Sequence, residues 1–194
     1  MTVGGLVIGA LGLAAFVAHE LRTGEPLLDV RLFRSRGLSA GSLLVFLQFF
    51  AAFGFFVLAP QFLQFVDGDT ALVAALSLLP LGLGIGPRSE LAPRLVVRFG
   101  ARWVGALGMA LLSLAFLGFA TLEAGTPYWQ LAALLVLFGL GFGLSATPGT
   151  TLIVDGLPTD RRTVASAVND VTRELGGALG GAVLTSALVA VYQD

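Results

Sequence analysis

The stretch from Leu38 to Pro60 reads L-S-A-G-S-L-L-V-F-L-Q-F-F-A-A-F-G-F-F-V-L-A-P and decides the fold class. It carries no charged residue, and about 20 apolar residues in a helix cross the hydrocarbon core of a bilayer. Backbone groups cannot stay unpaired in lipid, and a barrel would need short alternating strands. This continuous apolar run is therefore predicted to be a transmembrane helix.

The composition of the whole chain indicates a membrane protein. Of its 194 residues, 56% are hydrophobic and 12% are charged, and the mean hydropathy is +0.91. A soluble domain carries about 25% charged residues, so this chain has too little polar surface for a globule in water. The composition excludes an ordinary soluble enzyme and a disordered chain, and a net charge of −1 offers no basic surface to nucleic acid.

The supply of reactive side chains is small. The chain has no Cys and a single His, His19, so a thiolate zinc site, a disulfide framework and a His-based catalytic triad are not expected. We therefore expect no enzyme activity, no metal and no cofactor.

Six apolar segments have lengths suited to crossing a bilayer, although the first is short. They are Val3–Ala18, Leu38–Pro60, Ala71–Gly86, Trp103–Leu122, Tyr128–Val154 and Ala165–Val191. The start, M-T-V-G-G, lacks the basic region and cleavage site of a secretory signal, so the first run is expected to be a membrane helix. The sequence predicts an all-α, polytopic bundle of six transmembrane helices, forming one transmembrane domain over residues 1–194.

All basic residues lie on one side of these spans. They are Arg22, Arg31, Arg34, Arg36, Arg88, Arg94, Arg98, Arg102, Arg161, Arg162 and Arg173. The positive-inside rule makes that side cytoplasmic and directs both termini, including Asp194, outward. Complete transporters commonly start and finish in the cytoplasm, so we expect helices to be missing at both ends. The Arg, Ala and Gly bias is typical of a GC-rich bacterial genome, which predicts a multi-pass protein of the bacterial cytoplasmic membrane.

Small residues and prolines mark the interiors of the spans. Glycines four residues apart allow helix backbones to approach closely in lipid. Such pairs are Gly5 and Gly9, Gly82 and Gly86, Gly139 and Gly143, Gly176 and Gly180, and Gly177 and Gly181. They predict either static packing or surfaces on which helices slide. Pro80 and Pro148 are predicted to kink their helices.

Aromatic residues form a stripe along the second span. Steps of three and four residues place them on one helix face, and the set is Phe46, Phe49, Phe50, Phe53 and Phe56. This face either packs against lipid and neighbouring helices or forms the wall of a pocket for bulky apolar compounds. Gln48 is predicted to face the interior, where it would find a partner. The candidate cavity residues are Phe46, Gln48, Phe49, Phe53 and Asn169.

Acidic residues are absent from the middle of every span, so the chain has no proton relay of its own at mid-membrane. The nearest candidates for such a relay are Asp170, Arg173 and Glu174, within the sixth span. Asn169 and Arg173 share a helix face with glycines and are predicted to point into the bundle. Arg173 is expected to form a structural or gating ion pair with Asp170, or alternatively to contact substrate. Asp170 is expected within ion-pairing reach of Arg173 or of Arg161 and Arg162.

Four stretches resemble the major facilitator superfamily. L-A-P-R-L-V-V-R-F-G-A-R at Leu91–Arg102 is similar to the cytoplasmic loop signature of the superfamily. Three others resemble its fourteen-helix drug:proton antiporter branch and occur in the order found there. They are E-P-L-L-D-V-R-L-F-R-S-R at Glu25–Arg36, A-P-Q-F-L-Q-F-V at Ala59–Val66, and A-S-A-V-N-D-V-T-R-E-L-G-G-A-L-G at Ala165–Gly180.

The resemblance implies that the six spans correspond to the eighth to thirteenth helices of that branch. They would form most of the second bundle, an incomplete C-terminal half whose partner is the missing first bundle. In the loop signature, Pro93 replaces a glycine and Val97 replaces an acidic residue, so a charge relay does not carry over. The residues left as gate candidates are Arg94, Arg98, Gly100 and Arg102.

The resemblance further implies part of a proton-coupled multidrug efflux transporter, which exports amphipathic small molecules by alternating access. Its proton-carrying carboxylates would lie in the first bundle, so this chain alone is not expected to perform coupled transport. Two alternatives remain: a non-transporting membrane fragment that associates with a full-length relative, and an oligomeric six-helix channel.

Overall fold

The computed structural model describes residues 2–23, 30–89, 91–123 and 125–193, and within these ranges the chain is helical, with no strand. The α-helices are α1 (Thr2–Arg22), α2 (Arg36–Phe65), α3 (Ala71–Ser77), α4 (Leu79–Ser89), α5 (Leu91–Phe99), α6 (Ala101–Phe119), α7 (Tyr128–Asp155) and α8 (Val164–Gln193). Short 3-10 turns, Val30–Arg34 and Thr159–Arg161, precede α2 and α8. The predicted all-α class is confirmed. Residues 24–29, which belong to the Glu25–Arg36 motif, and Asp194 lie outside the described ranges.

Not every helix meets the requirements of a membrane span. Among the described residues, α2, α6 and α7 are each long and apolar enough to cross a membrane. The helical segment from Ala71 to Gly86 and helix α5 meet the same test together, with a bend of 42° between them. Helices α1 and α8 cover the first and sixth predicted spans with 21 and 30 residues. The crossing of the membrane by these two helices stays a prediction.

Several helix boundaries differ from the predicted ones. Helix α2 continues through Pro60 to Phe65, so Gln61 lies within it rather than beyond it. A proline removes one backbone donor, but membrane helices tolerate that loss. The predicted loop from Pro87 to Arg102 contains helix α5, whose mixture of arginines and apolar residues makes it amphipathic.

The predicted kink sites also behave differently from each other. The third span is interrupted at Leu78, between α3 and α4, two residues before Pro80. Pro80 thus lies in the first turn of α4, where a backbone N–H would have no acceptor within the helix, so its absence costs little. Helix α7, in contrast, runs without interruption through the buried Pro148.

Helix α7 is the centre of the bundle. It packs against α2, α4 and α6, while α8 packs mainly on α2. One buried apolar cluster joins α2, α4, α6 and α7, and includes Phe55 and Phe138. A second joins α2, α7 and α8, and includes Val45 and Val168.

Backbones approach closely where α8 meets α2 and where α7 meets α4, and we call these two contacts seams. Only some of the predicted glycines take part in them. A methyl group on Gly176 would lie 2.5 Å from the carbonyl oxygen of Phe46, and one on Gly180 would overlap that of Phe50. Gly139 packs equally closely on α4, where its partner is Gly84. Among the described atoms, no neighbour lies within 4 Å of the methyl positions of Gly5, Gly9, Gly82, Gly86 and Gly181. Gly82, Gly86 and Gly181 therefore do not take part in the described contacts of α4 with α7 and of α8 with α2.

Candidate functional site

An open recess of about 260 Å³ lies between α2 and α8, and we name it the α2–α8 cleft. Its lining residues are Phe49, Phe53, Asp170, Arg173, Glu174, Gly177 and Ala178. Helix α2 supplies the two aromatic rings, and α8 supplies the charged and small residues. The three- and four-residue spacing along both helices brings these side chains to one place.

One contact within the cleft joins Arg173 to Phe49. The guanidinium carbon of Arg173 lies 4.7 Å from the centroid of the Phe49 ring, within the range of a cation–π interaction. The same ring meets Phe142 of α7 edge-on at 5.9 Å and Phe53 at 6.3 Å. Phe49 therefore has neighbours on α2 and α7, and one of its faces is covered by a positive charge.

Two carboxylates flank this cation. Asp170 and Glu174 line the cleft together with Arg173, so two negative charges and one positive charge leave a formal charge of −1. Within the described part of the chain, no ion pair joins Arg173 to either carboxylate. The expected ion pair of Asp170 with Arg173 is thus not formed among the described residues, and the alternative pairing of Asp170 with Arg161 or Arg162 stays a prediction. An exposed ion pair contributes about 0–1 kcal/mol, so an aromatic face on the adjacent helix can compete for the guanidinium.

Small residues on α8 let the two helices approach and shape the cleft. Gly177 lies under Phe53, and a methyl group on Gly177 would be 3.1 Å from the Phe53 ring. Gly176, one residue earlier, rests against the backbone of α2. The glycine run therefore places the rings of α2 directly over the surface of α8.

The other predicted cavity residues lie beside the cleft rather than along its lining. Phe46 pairs with Phe50 at a ring separation of 6.2 Å. Asn169 accepts a hydrogen bond of 3.4 Å from the hydroxyl of Thr150, which connects α8 to α7.

Gln48 faces the interior, as expected. Its side chain is completely buried, and its Nε2 donates a 2.9 Å hydrogen bond to the carbonyl oxygen of Phe142 on α7. Its Oε1 is buried without a hydrogen-bond partner among the described residues. Gln48 therefore joins two central helices at the cost of one unsatisfied acceptor.

The gate candidates lie where α5 meets α6, and they are not among the residues that line the cleft. Gly100 has a φ of 86° and connects the two helices, a conformation that favours glycine. The guanidinium of Arg98 lies 5.3 Å from the Phe99 ring centroid, and that of Arg102 lies 6.0 Å from Trp103. Arg94 is exposed. These cations are thus available at the surface.

Sequence reasoning missed an aromatic cluster at the other side of α2. Phe55 stacks on Phe138 at 4.5 Å and on Phe119 at 5.1 Å, and Phe116 meets Phe138 edge-on. Phe55 is buried, whereas Phe56, on the predicted stripe, is half exposed. No spacing signal could find this cluster, because its members come from three separate helices.

Comparison with known proteins identifies the family. Residues 1–181 match the family model described as Major Facilitator Superfamily. The chain belongs to the major facilitator superfamily. Members of this superfamily are transporters rather than enzymes, in agreement with a bundle of apolar helices.

Relatives with curated names are bacterial proteins of drug resistance and export. The methyl viologen resistance protein SmvA of Salmonella typhimurium is 34% identical over 92% of this chain, which covers 36% of SmvA. The multidrug resistance protein Stp of Mycobacterium tuberculosis is 35% identical over 93% of the chain, which covers 34% of Stp. The multidrug export protein EmrB of Escherichia coli is 29% identical over 93% of the chain, which covers 35% of EmrB. The chain thus spans about a third of the length of these relatives.

Proposed function

We propose that this chain forms part of a proton-coupled multidrug efflux transporter of the bacterial cytoplasmic membrane. The transporter exports amphipathic small molecules by alternating access, and the chain supplies one of its two helical bundles. The observation that carries this proposal is the α2–α8 cleft, where aromatic rings and charged groups meet in one open recess. The two rings offer apolar contact to an amphipathic ligand, and the charged groups of the lining can fix its orientation.

The proposal assigns the coupling machinery to a partner bundle of the same family. Alternating access requires one bundle to rock against another around a central site. In this chain the acidic residues lie in connections or near helix ends, except for Asp170 and Glu174 in the first half of α8, and the proposal assigns the proton-binding carboxylates to the partner. The exposed cations Arg94, Arg98 and Arg102, hinged at Gly100, are the proposed contacts of a cytoplasmic gate.

The orientation of the chain is part of the proposal. Arg residues on one side of the spans support a cytoplasmic location for the α5–α6 corner and an outward location for both termini. Fusion of alkaline phosphatase or green fluorescent protein to Asp194 tests this orientation. Phosphatase activity without fluorescence is expected, and the reverse pattern would refute the outward assignment.

A binding experiment tests the role of the cleft. The purified chain in detergent is titrated with ethidium, an amphipathic fluorescent dye, and Phe53→Ala is compared with Phe65→Ala. Both are phenylalanines on α2, but Phe65 is exposed and lies outside the cleft. We expect Phe53→Ala to weaken binding about fivefold, which corresponds to about 1 kcal/mol, and Phe65→Ala to have no effect. Equal effects of the two variants would refute the proposed site.

A transport experiment tests the proposal that proton coupling depends on the partner bundle and not on this chain. The chain is reconstituted alone in liposomes, a pH gradient is imposed and dye movement is followed. We expect no gradient-driven flux. Flux that a protonophore abolishes would show that the chain is a complete transporter, while ion leakage without dye movement would favour the oligomeric channel.

A further inference from the structure

We infer that Arg173 sets the charge selectivity of the α2–α8 cleft by occupying the ring face on which a lipophilic cation would bind. This inference rests on the proposed function, because it assigns a role within the proposed drug site. Arg173 is then a specificity-determining residue, and its guanidinium acts as a built-in competitor of cationic ligands.

The position of the guanidinium is the first support. It lies 4.7 Å from the centroid of Phe49, a ring that lines the cleft. The quadrupole of an aromatic ring attracts any organic cation to the ring face, whether it is a guanidinium or a quaternary ligand cation. A cationic ligand that enters the cleft must therefore share or displace the contact that Arg173 already makes.

The surrounding charges are the second support. Asp170 and Glu174 line the same recess, and among the described residues neither forms an ion pair with Arg173. Their charges favour a cation in the cleft, and Arg173 offsets one of them. Removal of the guanidinium changes the formal charge of the lining from −1 to −2 and uncovers the Phe49 ring.

The fold permits such a displacement. Arg173 is exposed, and it lies two turns of α8 away from Gly180 and directly beside the close contact at Gly176. The helix backbone is therefore held by packing that does not involve the guanidinium. The side chain can leave Phe49 without opening the α2–α8 seam.

The test uses two ions that share a shape and differ in charge. Tetraphenylphosphonium and tetraphenylborate are titrated into the purified full chain in detergent, for the wild type and for Arg173→Gln. We expect the variant to bind the phosphonium about three- to tenfold more tightly and the borate more weakly, from the loss of one cation–π contact and one charge. A merely structural role of Arg173 would shift both affinities in the same direction.

Two controls separate occupancy of the ring from a general charge effect. Arg162→Gln removes an exposed charge of the same sign just before α8, outside the cleft, and should leave both affinities unchanged. When Phe49→Leu is also present, Arg173→Gln should increase the affinity for the phosphonium much less than it does in the wild type. A gain of the same size with and without the Phe49 ring would overturn the inference.

The outcomes also separate this inference from the proposed function. If neither ion binds in a manner that depends on Phe53, the cleft is not a ligand site and the proposed function fails. If binding depends on Phe53 but Arg173→Gln shifts both ions alike, the cleft remains a ligand site and only the selectivity role of Arg173 is refuted.

Discussion

The two sides of helix α2 use the same residue type for opposite purposes. On the side toward α6 and α7, Phe55 is buried and stacks on Phe138 at 4.5 Å. On the side toward α8, Phe53 is 50% exposed and lines an open cleft, and Phe49 holds the guanidinium of Arg173. The first side is an apolar core that borders a recess of about 380 Å³ lined by Phe55 and Phe119, whereas the second is a smaller recess with charges of both signs.

This difference shows that aromatic content alone does not identify a binding surface in a membrane bundle. Rings that stack on rings from other helices fill space and fix the packing. Rings that face glycines and charged side chains leave a face free for another molecule. The partners of a ring therefore decide its role, and the partners lie on other helices.

The largest effect is expected on the side of the buried Phe55. Phe55→Ala removes the ring that contacts both Phe138 and Phe119, and the resulting cavity should lower the free energy of unfolding by about 3 kcal/mol. Unfolding in sodium dodecyl sulfate, followed by helicity, measures the change. Phe65→Ala, on an exposed position of the same helix, is the control and should change stability by less than about 0.5 kcal/mol. A similar loss in both variants would remove the distinction between the two sides.

A smaller effect is expected where α8 meets α2. A methyl group on Gly176 lies 2.5 Å from the Phe46 carbonyl oxygen, whereas a methyl group on Gly181 has no described neighbour within 4 Å. We expect Gly176→Ala to destabilise the bundle by about 1–3 kcal/mol through forced separation of the helices. Gly181→Ala should be neutral or stabilising, since alanine is a better helix former by up to about 1 kcal/mol. Effects of the same sign in the same denaturation assay would contradict the assignment of the seam.

These glycines also show how far the sequence could predict the fold. Apolar runs place the helices, because their length matches a bilayer and lipid leaves few alternatives. Four-residue spacing correctly selected Gly176 and Gly180, which contact the backbone of α2. It equally selected Gly82 and Gly86, which face away from α7. A helix that is apolar on all sides has no polar face to indicate which side packs inward, so spacing alone cannot choose.

The candidate site was predicted in part for the same reason. Spacing grouped Phe49 and Phe53 on one face, and the acidic and basic residues of α8 were recognised as a cluster. The partner of Arg173 was not predictable from α8 alone, because the competing Phe49 ring belongs to another helix. Phe55 was missed because its contacts all come from residues distant in sequence.

The next prediction concerns Gln48, which lies in the interior and whose hydrogen bond joins α2 to α7. Gln48→Leu removes one interhelical hydrogen bond, which contributes about 0.6 kcal/mol in membrane proteins. It also removes a buried, unsatisfied oxygen, whose burial costs about 1–3 kcal/mol. We therefore expect a modest stabilisation, of about 1 kcal/mol, in the same unfolding assay. Gln64→Leu, on the exposed surface of α2, should be neutral, and a large loss for Gln48→Leu would mean that Oε1 has a partner in the membrane.

The smallest stability effect is expected at Phe53, on the open side. Half of its surface is already exposed, and its ring rests on Gly177 and meets Phe49 at 6.3 Å rather than filling a core. Phe53→Ala therefore leaves no enclosed cavity, so the transfer and cavity terms that penalise Phe55→Ala are mostly absent. We expect a loss of less than about 1 kcal/mol, close to that of an exposed residue. The unfolding curve of Phe53→Ala should nearly overlay that of the wild type while its affinity for ethidium falls. A loss as large as that of Phe55→Ala would mean that the α2–α8 cleft is closed by packing, and the weaker dye binding would then report unfolding instead of a lost contact.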